Sequence, residues 1–138
     1  MLGIILSMNN YFSQKPTVNN LYLREYYDNL YRIKQVRNPA VKIYDQLRIE
    51  QIKSLAGQIQ GNVLIVGCGS NLDRDIFIDQ KNVYIFDISY LAVKSIFLNN
   101  MNAFTADALS IPLPSQSFNL IICSEVLEHI PQLQMAIR

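Results

Sequence analysis

The stretch Asn62-Val63-Leu64-Ile65-Val66-Gly67-Cys68-Gly69-Ser70-Asn71 decides the fold. Four aliphatic residues in a row, closed by glycine, have the pattern of a strand buried on both faces, as in a parallel sheet. At Gly67 and Gly69 the chain turns without side chains, so backbone N–H groups stand open to a ligand that can approach closely. A plain tight turn between strand and helix has the same two glycines, so the turn alone defines no function.

Downstream, the pattern repeats. Residues 72–80 read as a short helix, and Val83 to Phe86 as a second apolar strand ending at Asp87. A helix over 90–100 follows, then a brief strand at 103–105 that leads to Asp107. After a loop with Pro112 and Pro114, the run from Phe118 to Cys123 makes a fourth strand, ending at Ser124 and Glu125. Strands alternating with helices predict an α/β fold: a Rossmann-like, mainly parallel sheet with helices on both faces.

Upstream of Gly61 the composition changes. Tyr22, Leu23, Tyr26, Tyr27, Leu30, Tyr31 and Ile33 recur at helical spacing within 20–37, and Pro39 closes that helix. A second helix over 39–59 places Val41, Tyr44, Leu47, Ile52, Leu55 and Ile59 on one stripe, with Gly61 as its stop. The chain thus divides into an N-terminal helical lid or extension, 1–60, and an α/β core, 61–138. The tyrosines of the first helix are read as packing residues, and Arg32, Lys34, Arg37 and Lys42 as a solvated basic face.

Asp87 follows Gly67 by twenty residues, and Asp107 follows Asp87 by twenty more. At the end of a neighbouring strand, Asp87 is placed to accept both hydroxyls of a ribose, and Asp107 a hydrogen bond from an adenine amino group. Either carboxylate also suits a turn or helix cap, a role Ser89 fills equally well. Three such strand ends along one sheet edge outline a nucleoside site.

In this order and spacing, Val63 to Ser70, Phe86-Asp87-Ile88-Ser89, Ala106-Asp107-Ala108 and the run Phe118 to Ile130 resemble the successive motifs of class I S-adenosylmethionine-dependent methyltransferases. The resemblance implies S-adenosyl-L-methionine as cofactor and methyl transfer as the reaction. It implies Gly67, Cys68 and Gly69 at the methionine part, Asp87 on the ribose and Ile88 against adenine. Asp107 and the Ala108 backbone would read the adenine edge, with Ser124 and Glu125 bordering the methionine and methyl-transfer side. No metal is implied. His129, the one histidine, is the weak candidate for a catalytic base.

The sequence departs from the family in three places. Ile65 stands where the family usually has an acidic residue that helps hold the cofactor's ammonium group. Asn71 replaces the third glycine of the turn, a change that left-handed geometry tolerates. Arg138 falls within the helix after the fourth strand, so the expected sheet has four strands in the family's order 3-2-1-4. Its fourth strand is then an exposed apolar edge and a route to self-association.

A near-neutral balance, 12 Lys and Arg against 11 Asp and Glu, gives no broad field for nucleic acid or acidic membranes. The N-terminal apolar run is too short for a signal peptide or span, so a cytoplasmic protein is expected. Cys68 and Cys123 are read as buried reduced thiols. The expected acceptor is a small molecule. The alternatives are a non-catalytic cofactor-binding or interaction fragment, and an NAD-dependent oxidoreductase, which would need a third glycine where Leu72 stands.

Overall fold

A computed structural model describes residues 3–7, 20–32, 39–56, 60–68, 76, 82–97, 102–130 and 132–136. In chain order the elements are β1 (Gly3–Ser7), α1 (Asn20–Arg32), α2 (Pro39–Ala56), β2 (Val63–Val66) and β3 (Val83–Asp87). Then come α3 (Tyr90–Phe97), β4 (Asn102–Thr105), β5 (Leu120–Ser124), a 3-10 turn at Leu127–His129 and a short helix Leu133–Ala136. The helix read at 72–80 lies outside the described residues, apart from Ile76.

Five strands form one sheet in the order β1-β5-β2-β3-β4, every neighbour parallel. The four strands read from the sequence keep the family's order 3-2-1-4, and the fold is a Rossmann-like α/β sheet. The fourth strand is not an edge, which corrects the expectation. Gly3–Ser7 pairs along it from Gly3 opposite Leu120 to Ser7 opposite Ser124, so its backbone groups are bonded on both sides. A run of five residues without clear alternation gave too little signal to separate a buried strand from a loop.

The sheet has two apolar faces. On one, Val63, Ile65, Val83, Ile85, Leu120 and Ile122 pack against Ile52 and Ala56 of α2 and Ala92, Val93 and Ile96 of α3. On the other, Leu64, Val66, Phe86 and Cys123 lie under the 106–118 loop through Ala106, Ile111, Leu113 and Phe118. Among the described residues this second face is covered by that loop and by Val126 and Leu127, not by a helix. Phe86 and Phe104 stack there with ring centroids 5.5 Å apart, and Phe118 meets Tyr84 edge-on at 5.6 Å.

The α2 stripe is rotated from the one read in the sequence. Arg48, Ile52 and Ala56 are buried, whereas Leu47 and Leu55 are 56% and 61% exposed. An i, i+4, i+8 row led by a charged residue does not read as apolar, yet Arg48 is accommodated because its guanidinium finds polar partners inside. On α1, Tyr26, Tyr27 and Leu30 are partly covered, while Tyr22 is exposed. Tyr31 donates to Ser95 Oγ on α3 at 2.7 Å, which docks α1 onto the core helix. No helix among the described residues is long and apolar enough to cross a membrane.

Candidate functional site

Because β2, β3, β4 and β5 are parallel neighbours, their carboxyl ends share one edge. The structure brings Gly67, Asp87 and Asp107 together there. Gly67 N–H donates to Phe86 C=O at 2.8 Å, and Ala106 N–H to Asp87 C=O at 3.0 Å, so the chain stays paired just beyond the strands.

Gly67 has φ +80°, a left-handed conformation that favours glycine. A Cβ there would stand 2.3 Å from Val126 Cγ2. The turn after β5 therefore packs directly on the turn after β2, and the need for glycine at 67 comes first from Val126. Gly69 lies outside the described residues.

Asp87 links two elements. Its Oδ2 accepts the Cys68 N–H at 2.8 Å and the Cys68 thiol at 3.4 Å, while Oδ1 accepts the Ser89 N–H at 2.8 Å. Ser89 in turn caps α3, its Oγ accepting Ala92 N–H at 3.1 Å. The sequence left open which of the two residues caps the helix, and the structure assigns that bond to Ser89. Asp107 Oδ1 accepts Leu109 N–H at 2.9 Å, and Ser110 N–H donates to Asp107 C=O at 2.9 Å, a closed turn that fixes the carboxylate. Ile88 and Ala108 beside these carboxylates are half-buried.

At the end of β5, Ser124 is buried and its Oγ accepts from Arg48 at 2.8 Å. Arg48 also pairs with Asp45 at 3.4 Å. Glu125 has φ +58°, and its Oε1 accepts the Tyr44 hydroxyl at 2.9 Å. Tyr44 and Arg48 are one helical turn apart on α2, so that helix holds both Ser124, the last residue of β5, and Glu125, which follows it. Sequence reading missed this pair. The only signal was an arginine within an otherwise apolar helical row.

Helix α1 approaches from the other side. Asp28 accepts the Ser89 hydroxyl and, at 3.1 Å, the Leu91 N–H. The Tyr27 ring meets His129 edge-on, centroids 5.9 Å apart. Burial, with the neighbouring Tyr26, Asp87 and Glu128, pushes the Tyr27 hydroxyl up to about 12. His129 Nε2 lies 4.0 Å from Glu128 Oε1. The thiol of Cys123, buried and facing Glu128, is pushed up to about 11, and both cysteines are free and buried. No group of three or more potential metal ligands occurs among the described residues.

The profile of the family described as "Methyltransferase domain" matches residues 64–138, more than half of the chain. With that match on the glycine turn and strand ends just described, the chain belongs to the class I S-adenosylmethionine-dependent methyltransferase family. Members of this family generally bind S-adenosylmethionine. The crystal structure of the cyclase SpnF is similar in fold, with TM-score 0.68 and 16% identity over 91% of this chain and 56% of that one. A structure from work on the conversion of a disulfide bond into a thioacetal group during echinomycin biosynthesis has TM-score 0.54 and 23% identity. That match covers 78% of this chain and 49% of the other. The chain spans about half the length of the solved structures it matches. No curated protein matches it.

Proposed function

We propose that this chain binds S-adenosylmethionine along the carboxyl edge of β2 to β5 and takes part in transferring its methyl group to a small-molecule acceptor. The observation that carries the reading is Asp87, one carboxylate joined to both the glycine turn and the start of α3. The N–H bonds from Cys68 and Ser89 take one position on each carboxylate oxygen, and a ribose hydroxyl arriving at Oδ2 would replace the weaker 3.4 Å bond from the Cys68 thiol. The residues present therefore fit the cofactor.

In this reading Gly67, Cys68 and Gly69 pass the methionine part, and Ile88 lies on an adenine face. Asp107 and the Ala108 backbone take the adenine edge, and Ser124 and Glu125 border the methionine and methyl-transfer side. When bound, the cofactor supplies the activated methyl group and its own leaving group. The protein's part is alignment, which accounts for up to about 7–11 kcal/mol of such a barrier. Where the acceptor must lose a proton, His129 is the candidate base.

Isothermal calorimetry with S-adenosylhomocysteine and NADH tests the proposal. Binding of S-adenosylhomocysteine without binding of NADH is expected, and the reverse pattern overturns it. Asp87→Asn removes a charged acceptor and should weaken S-adenosylhomocysteine by roughly tenfold or more.

A further inference from the structure

The family places an acidic residue two positions before the first glycine, and here that position is Ile65, 1% exposed in the sheet core. A buried isoleucine accepts no hydrogen bond and offsets no positive charge. The ammonium of an amino-acid-bearing nucleoside must find its acceptor elsewhere along the same edge.

A second carboxylate lies beside the glycine turn. Strand β5 runs against β2 with Cys123 opposite Val66 and ends one residue later, so Ser124 comes level with Gly67 and Glu125 with Cys68. Contact between the two turns is close enough that Val126 would collide with a Gly67 side chain. Glu125 also holds a backbone conformation that favours glycine. The other described non-glycine residue with positive φ, Gln116, sits exposed in a loop. Residues kept in such conformations against their own preference cluster at ligand sites. What holds Glu125 is visible: Tyr44 donates to its carboxylate, and one turn further along α2 Arg48 donates to the adjacent Ser124.

We propose that Glu125, oriented by Tyr44, accepts the ammonium group of the ligand's amino-acid end and supplies the negative charge that Ile65 lacks. This rests on the reading of the site as one for an adenosyl amino acid. The bond from Tyr44 uses part of the carboxylate's acceptor capacity and fixes its direction. Tyr44 is thus a positioning residue that acts through Glu125, and α2 becomes part of the ligand site.

The test compares two probes by calorimetry on the 138-residue chain: S-adenosylhomocysteine, and 5′-methylthioadenosine, which lacks the amino-acid end. Glu125→Gln keeps the side chain's size and its acceptor for Tyr44 but removes the charge. It should weaken S-adenosylhomocysteine roughly 10- to 100-fold, as expected for a lost charged hydrogen bond, and leave methylthioadenosine within about twofold. Tyr44→Phe should weaken the first probe less, with the same selectivity. A desamino analogue of S-adenosylhomocysteine should bind wild type and Glu125→Gln alike. Unchanged methylthioadenosine affinity shows that the variants fold. Equal weakening of both probes, or unaltered S-adenosylhomocysteine binding by Glu125→Gln, overturns the assignment. Wild-type protein that binds neither nucleoside overturns the underlying reading with it.

Discussion

Asp28 on α1 accepts the hydroxyl of Ser89, the residue that caps α3 and whose N–H holds Asp87. One side chain of the N-terminal helix therefore reaches the hydrogen-bond network that orients the candidate ribose acceptor. Asp28→Ala should cost about 1–3 kcal/mol, because it leaves the Ser89 hydroxyl and Leu91 N–H without this acceptor. Ser89→Ala should cost about 1 kcal/mol as a lost cap. Urea titration of the two single variants and the double variant checks the link. A double variant no worse than the more damaging single one is the expected sign of a shared interaction, and simple additivity would argue against it.

At Gly67 two penalties combine, left-handed backbone and collision with Val126. Gly67→Ala should destabilise by about 2 kcal/mol or more. Adding Val126→Ala relieves the collision but not the backbone conformation. Gly67→Ala should therefore cost less in a Val126→Ala background than in the wild type, measured by thermal melting with ligand-free protein.

Alkaline pH should loosen the chain through two groups. Burial raises the Tyr27 hydroxyl from its ordinary 10.0 to about 12, and the Cys123 thiol from 9.0 to about 11. In both cases the unfolded chain loses its proton first. The associated stability is intact below the unfolded values and is lost as pH rises, from near 9 to 11 for Cys123 and from near 10 to 12 for Tyr27. Tyr27→Phe and Cys123→Ala should each flatten their own part of a denaturation midpoint plotted against pH. Unaltered slopes in both windows would count against these assignments.

The pairing of β1 with β5 makes a prediction about association. Removing residues 1–7 strips one side of β5 and exposes the unpaired groups of an apolar strand. The shortened chain should self-associate in sedimentation velocity at concentrations where the full chain does not.

Much of the sheet was legible because buried parallel strands announce themselves: Val63 to Val66, Val83 to Phe86 and Leu120 to Cys123 are aliphatic or aromatic runs closed by turn chemistry. Asp87 was legible through its distance from Gly67, and the structure indeed joins it to the turn. Two things were hidden. Gly3–Ser7 carries no alternation, and its place in the sheet depends on a partner at the far end of the sequence. Arg48 and Tyr44 work through contacts between α2 and β5 that no local period encodes, since a buried arginine looks like surface in any pattern of apolar spacing. Val126 is one apolar residue within a longer motif, and its contact with Gly67 needs the two turns side by side.

The position of β5 between β1 and β2 also fixes an order of events during synthesis. Its partner on one side is made long before it and that on the other less long before it, yet neither can close on it until the segment through Ser124 has been made. Contacts of such sequence separation are slow to form because the intervening chain must first be brought round. Throughout that interval Gly3–Ser7 waits without its mate, as an unpaired strand of the kind that invites association with other chains.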